Sequence, residues 1–311
     1  MSRRRKNVLL QRVEYLLYRA AARAVRSASD GALLRWGARI GNLARRFLRS
    51  RDRLAMRNLT ATFPEKSHAE RRHILDQCWR HFGREALATI RMQHVPLEEI
   101  PLHCRFVDAH VLEGAIAQGR GVLLLSAHFG AWEIAGLAII ALVKNVHTVV
   151  RPLDNEYLER DLVRLRARTG VQVVDRKRAA RSLLKALAQK AVVVLLPDQA
   201  VQPREGILVP FLGRPAWTTD APAKMALRHE SAIVFAFCIP DETGHRLEFE
   251  EPIRIDQLRD DEKDAAALTK RINDVISRRI EARPEIWLWM HDRWKGNAPG
   301  EIEDETATDG E

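Results

Sequence analysis

The chain is 311 residues long, 46% hydrophobic and 30% charged, so it has enough apolar material for a large core and is not a disordered polymer. Its three cysteines (Cys78, Cys104, Cys238) are far apart, which excludes a disulfide framework or a zinc knuckle and fits a reducing compartment; no HExxH or iron–sulfur spacing occurs, so no metal is expected. The net charge of +10 is unevenly placed: residues 1–60 hold 16 Lys and Arg against three acids, while residues 301–311 hold six acids and no base. Such a front-loaded surplus points to an anionic partner, whether membrane lipid, nucleic acid or an acidic protein.

After a basic arm (Met1–Lys6), apolar residues from Asn7 to Arg26 recur at helical spacing with Arg12, Arg19, Arg23 and Arg26 between them, and the pattern returns from Gly31 to Arg49. The charges interrupt the apolar run too often for a secretory signal or a spanning helix, which needs about 20 largely apolar residues. A basic amphipathic helix lying on anionic lipid or packed on the protein's own core is expected. Few aromatics accompany the arginines for base stacking, so nucleic acid is not the expected partner.

Ser67 to Glu70 forms a capping box opening a long helix towards Met92. Beyond it the period alternates. Strands are predicted at Cys104–Val107, Val122–Leu125, Val146–Val150, Val171–Val174, Ala191–Leu196, Ala232–Cys238 and His245–Phe249. Helices are predicted at His110–Gln118, Glu156–Arg168, Ala179–Lys190 and Asp264–Ile280. This alternation predicts an α/β fold with a mixed, mostly parallel sheet flanked by helices and preceded by an all-helical amphipathic region. The expected division is residues 1–65 as that region, 66–297 as the α/β domain and 298–311 as a disordered acidic tail. Gly121–Val143 is apolar enough to suggest a membrane span, but its glycines and strand-like opening favour a buried strand–turn–helix.

That stretch also carries chemistry. His128 stands where the strand from Val122 runs out, and Glu133 follows at the start of an apolar helix. A carboxylate that fixes the tautomer of an imidazole and stabilises its charged form makes it a general base; a hydrogen-bonded core histidine is the bland alternative. Asp198 ends another strand, where α/β sheets collect ligand-binding groups, or else shapes a turn.

Together with these, Arg57-Asn58-Leu59, Phe63-Pro64-Glu65, Val150-Arg151-Pro152 with Asn155, Asp175-Arg176-Lys177, Pro197-Asp198-Gln199, Val209-Pro210-Phe211, Thr218-Thr219 and the run Pro284–Lys295 resemble, in order and spacing, the late acyltransferases of lipid A biosynthesis. These lauroyl and myristoyl transferases stand within the bacterial lysophospholipid acyltransferase superfamily. The resemblance covers nearly the whole chain. It implies transfer of a fatty acyl group from a thioester donor, usually acyl carrier protein and otherwise acyl-CoA, to a hydroxyl of a lipid A precursor at the cytoplasmic face of the inner membrane, with no bound cofactor. It makes His128 the base and Glu133 the residue that orients it. It assigns Arg151, Asp198 and Arg168 to supporting or oxyanion roles, although Arg168 equally suits a helix end. Arg176, Lys177, Arg204, His291, Arg293 and Lys295 become candidate contacts for an anionic acceptor, while Trp287, Trp289 and Trp294 read mainly as packing. The family usually has an apolar amino-terminal anchor. The Arg-rich helix here predicts attachment to one leaflet instead. Alternatives are another lipid acceptor (a lysophospholipid, ornithine lipid or glycolipid) or a non-catalytic membrane-binding protein.

Overall fold

A computed structural model describes residues 8–149, 153–174, 179–242 and 244–296, with backbone alone at 166–168 and 179. The opening helices are α1 (Val8–Ser27), α2 (Asp30–Phe47), α3 (Arg49–Thr62) and α4 (His68–Met92). Then come α5 (Ile100–His103), β1 (Cys104–Val107), α6 (His110–Ala117), β2 (Val122–Leu125), α7 (Trp132–Leu142), β3 (Val146–Val149) and α8 (Glu156–Thr169). The chain continues through β4 (Gln172–Val174), α9 (Ala179–Ala188), β5 (Val192–Leu195), β6 (Ile207–Phe211), β7 (Arg214–Thr218) and α10 (Ala221–His229). It closes with β8 (Ala232–Asp241), β9 (Gly244–Ile253) and α11 (Ala265–Ala282).

Among the described residues one sheet has the order β1-β9-β8-β2-β5-β3-β4, every pairing parallel except the β8–β9 hairpin. The central strands are apolar on both faces, as strands covered on both sides must be. Period-two alternation then divides the core. Leu123 and Leu125 of β2 and Phe235 and Phe237 of β8 face α3, α4, α9, α10 and α11. Val122, Leu124, Val234 and Ala236 face α5, α6 and α7.

Packing crosses the boundary expected near residue 65. Ala55 and Leu59 of α3 lie fully buried in the main core, and Asn58 Nδ2 donates to the carbonyls of Trp289 and His291, both at 3.0 Å. Helix α2 crosses α4 at backbone contact. A Cβ at Gly41 would fall 2.0 Å from the Trp79 carbonyl, and one at Gly83 2.1 Å from that of Gly37. The tail expected beyond residue 297 lies outside the described residues.

The hairpin β6–β7 has no counterpart among the predicted strands. Its register sets Pro210 opposite Pro215. Two prolines in the twelve residues 207–218 read as breakers, but a two-stranded ribbon is all edge, where a missing N–H costs little.

Candidate active site

The site grows from the pairing of two parallel strands. Leu125, the last residue of β2, is in register with Leu195, the last of β5. Each chain runs three residues further, and His128 meets Asp198. One oxygen of Asp198 accepts from His128 Nδ1 at 2.9 Å; the other accepts from the His128 backbone N–H at 2.8 Å and from the Trp287 indole N–H at 2.9 Å. Asp198 is buried, yet three donors stand in place of its water. Burial works against this carboxylate, but the charge and hydrogen bond of His128 and the Trp287 donor hold its pKa below the ordinary value. Burial likewise opposes charge on His128; the charge and hydrogen bond of Asp198, with the charge of Glu133, outweigh it and raise the imidazole's pKa.

The imidazole side chain remains 22% exposed, so it is not sealed inside. Its ring sits 5.4 Å from the Trp132 ring, which in turn meets Phe82 edge-on. The second nitrogen, Nε2, lies 3.2 Å from Gln199 Nε2.

Glu133 is not the residue that holds His128. It occupies the first turn of α7, where its side chain is exposed and accepts from the Trp132 indole at 3.1 Å. Its link to the imidazole is through space, as charge. The hydrogen-bonded carboxylate is Asp198, a residue expected only in a supporting role.

A carboxyl-terminal segment clamps the site. The His128 carbonyl accepts from Leu288 N at 3.0 Å and the Ile286 carbonyl from Gly130 N at 2.8 Å, making an antiparallel bridge between Phe129 and Trp287. The Cys238 carbonyl accepts from Ala131 N at 2.7 Å. Gly130 has φ +62°, and a Cβ there would fall 2.1 Å from that same carbonyl. Its missing side chain therefore admits backbone rather than substrate. From the other side, His81 Nε2 of α4 donates to the Gly130 carbonyl at 3.2 Å. His81 is buried, which lowers its pKa. Glu85, one turn further along α4, pairs with His245 Nε2 at 2.9 Å. With Gly130 and Ala131 engaged, the backbone donors left without an intrahelical acceptor at the start of α7 are Trp132, Glu133 and Ile134.

Arg293, expected on the acceptor, is 0% exposed. It donates to the Trp217 carbonyl at 2.8 Å and to Thr218 Oγ1 at 2.5 Å, and stacks 4.5 Å over the Phe211 ring. Burial brings its pKa down to about 10. It braces β7 against the carboxyl-terminal segment and is out of reach of a ligand. His291 Nε2 accepts from Ala200 N at 3.1 Å, tying this segment to the loop that carries Asp198 and Gln199; burial lowers its pKa. Arg204 is exposed on a 3-10 turn (Pro203–Glu205) further along that loop. Arg151, Arg176 and Lys177 lie outside the described residues, and Arg168 is described only as backbone of α8. Among the described residues no three His, Cys, Asp or Glu are grouped to hold a metal ion.

A histidine–carboxylate pair at the end of a buried sheet serves many chemistries, and comparison with known proteins decides among them. The sequence model of the bacterial lipid A biosynthesis acyltransferases matches residues 2–296. The chain belongs to that family. It is 29% identical over 271 residues to the lipid A biosynthesis lauroyltransferase of Escherichia coli K12, covering 86% of this chain and 87% of that one. It is also 26% identical over 187 residues to the phosphatidylinositol mannoside acyltransferase of Mycobacterium tuberculosis H37Rv, covering 59% and 57%. Among solved structures, the 1-acyl-sn-glycerophosphate acyltransferase PlsC of Thermotoga maritima is matched at 14% identity and a TM-score of 0.37, over 75% of this chain and 97% of that one. The protein is therefore an acyltransferase of the lipid A biosynthesis family.

Gln199, quoted from the sequence only as part of a motif, and Trp287, read there mainly as packing, are site residues to which sequence reasoning gave no role at the histidine. The signal for Gln199 was its place directly after Asp198. Trp287 carried only the general expectation that a buried indole N–H finds an acceptor.

Proposed function

We propose that the protein moves a fatty acyl chain from an acyl carrier protein thioester to a hydroxyl of a lipid A precursor, with His128 as general base. The observation that carries this reading is the bond from His128 Nδ1 to Asp198. It leaves Nε2 as the nitrogen with a lone pair. An alcohol is a weak nucleophile at neutral pH, so the acceptor O–H gives its proton to Nε2 as its oxygen attacks the thioester carbonyl. Asp198 and Glu133 stabilise the imidazolium that forms. When the tetrahedral intermediate collapses, the C–S bond breaks and the imidazolium returns the proton to the departing thiolate. No acyl-enzyme is needed, because the acceptor attacks directly.

The developing oxyanion requires donors, and the opening N–H groups of α7 supply both hydrogen bonds and the positive end of a helix dipole. Arg151, two residues past the end of β3, is the charged candidate for the same task.

With that acceptor and that donor, the enzyme would work at the cytoplasmic face of the inner membrane. No helix among the described residues is long and apolar enough to cross a membrane. However, Trp36, Ile40, Leu43 and Phe47 form an exposed stripe along α2, and Leu9, Val13, Leu16 and Leu17 are exposed on α1. With the arginines around them they suit the interface of an anionic leaflet. The same positive charge suits an acidic carrier protein.

Similarity to the mannoside acyltransferase favours one second reading, a glycolipid acceptor other than lipid A. Mass spectrometry of lipids from a deletion strain separates the two. Loss of one acyl chain from lipid A supports the proposal, and loss from another lipid replaces it. Assay of His128→Ala with a carrier-protein thioester and a lipid A precursor tests the chemistry; activity within tenfold of wild type would remove the base.

A further inference from the structure

The hydrogen-bond pattern around His128 fixes its tautomer and, through it, the direction of the Gln199 amide. Both oxygens of Asp198 receive donors, so the carboxylate is ionised and Nδ1 must carry the proton it shares with Oδ1. In the neutral imidazole Nε2 is then a bare lone pair. The group 3.2 Å from it is the Gln199 side-chain nitrogen, a donor with no acceptor capacity. The base is thus capped at the atom that has to receive a proton, and an acceptor hydroxyl and Gln199 cannot both donate to one lone pair. We propose that Gln199 is a positioning residue whose amide donates to His128 Nε2 in the free enzyme and is displaced from it by the acceptor hydroxyl. This rests on the reading of His128 as the general base.

In the free enzyme the cap keeps the Nε2 lone pair satisfied and the imidazole in the plane set by Asp198. It also favours the neutral, base-competent form, because an N–H aimed at Nε2 has no acceptor for a proton arriving there. The charged and titratable groups facing His128 are Asp198 on the loop after β5, Glu133 on α7 and, on the carboxyl-terminal segment, His291; the charge state of His291 itself responds to Asp198, His128, Arg293 and Asp292. Asp198 and Glu133 favour the imidazolium. Gln199 is the group in direct contact with Nε2 that opposes it.

The test is an NMR titration of His128 in the free full-length protein in detergent micelles, assigned by comparison with His128→Ala, for wild type, Gln199→Ala and Gln199→Glu. Loss of a neutral hydrogen bond is expected to move the His128 midpoint to higher pH by about half a pH unit in Gln199→Ala. A carboxylate at 199 is expected to move it further in the same direction. In steady-state assays with a lauroyl carrier-protein thioester and a lipid A precursor, the acid limb of kcat/KM, which reports free enzyme, follows the same shift. The acid limb of kcat, which reports the occupied site, stays within about 0.2 pH unit of wild type. A purely structural glutamine moves both limbs or neither. A midpoint that is unchanged or lower in Gln199→Ala overturns the assignment, as does an equal shift of both kinetic limbs. A wild-type chain that fails to acylate the precursor while the midpoint still rises in Gln199→Ala upholds the Gln199 contact and removes the substrate reading alone.

Discussion

His128 and Asp198 each lie three residues beyond a pair of strand ends in register, Leu125 and Leu195, and their side chains meet at 2.9 Å. The alignment of two neighbouring parallel strands therefore sets the geometry of this imidazole–carboxylate pair.

Asp198→Asn is expected to keep the fold and lower kcat by on the order of 10³-fold or more, because the amide no longer enforces the Nδ1–H tautomer or stabilises the imidazolium. Glu133→Gln is expected to cost less, about tenfold, through loss of charge alone. Parallel kcat measurements on the two variants decide which carboxylate carries the orientation; a larger loss at Glu133 would reverse the assignment.

The raised pKa of His128 and the lowered pKa of Asp198 give opposite signs with pH. The proposed base works when neutral, so the acid limb of kcat/KM should lie above the ordinary histidine value of about 6.5. Stability runs the other way for His128. Its contribution is full below the unfolded-state value and disappears as pH rises through the folded one. That of Asp198 is present above its unfolded-state value and lost as pH falls through its lowered one. Removing the Asp198 charge should move the activity limb to lower pH, which a kcat/KM profile of Asp198→Asn will show in its residual activity.

Trp287→Phe keeps most of a fully buried ring and deletes one donor to Asp198. A hydrogen bond to a charged group contributes about 1.5–3 kcal/mol, so kcat should fall by roughly tenfold or more. A drop in Tm with kcat unchanged would mean that the indole only packs.

Arg293→Met is expected to lower thermal stability by about 1–3 kcal/mol, since it removes one donor each from the Trp217 carbonyl and the Thr218 hydroxyl. KM for the lipid acceptor should remain within about twofold of wild type. A large KM effect at unchanged Tm would return this arginine to the acceptor.

Leu43→Asp with Phe47→Asp replaces two exposed apolar side chains on α2, 52% and 79% exposed. Each large side chain contributes about 1.5–3 kcal/mol when buried, so partition onto anionic vesicles should weaken on the order of a hundredfold while Tm hardly changes. Raising ionic strength should weaken binding of both proteins through the arginines. Cosedimentation at low and high salt measures both effects.

The elements that could be read from the chain are those whose signals are local. The apolar run of β2, the capping box of α4 and the Arg-spaced stripes of α1 and α2 all declare themselves within a few residues. The partner of His128 does not, because Asp198 lies 70 residues away and is brought close only by a strand pairing that periodicity cannot reveal. Glu133 looked suitable because it was close in sequence, but α7 begins at Trp132 and turns that position outward. Arg293 sits in a polar-looking run beside Asp292, and nothing in that run announces that the carboxyl-terminal segment folds inward over Phe211. The β6–β7 ribbon was hidden by its prolines.

Helix α4 touches both ends of the molecule's working surface. Its glycine-lined crossing with α2 leaves no layer of side chains to slide, and its His81 holds the carbonyl of Gly130 two residues from His128. The outward flank of α2 and the imidazole thus belong to one stiff body. Under the proposed attachment of this flank to a leaflet, the depth reached by Phe47 would set how high His128 floats above the headgroups, so the enzyme would select which hydroxyl it can reach by its draught, like a hull of fixed shape.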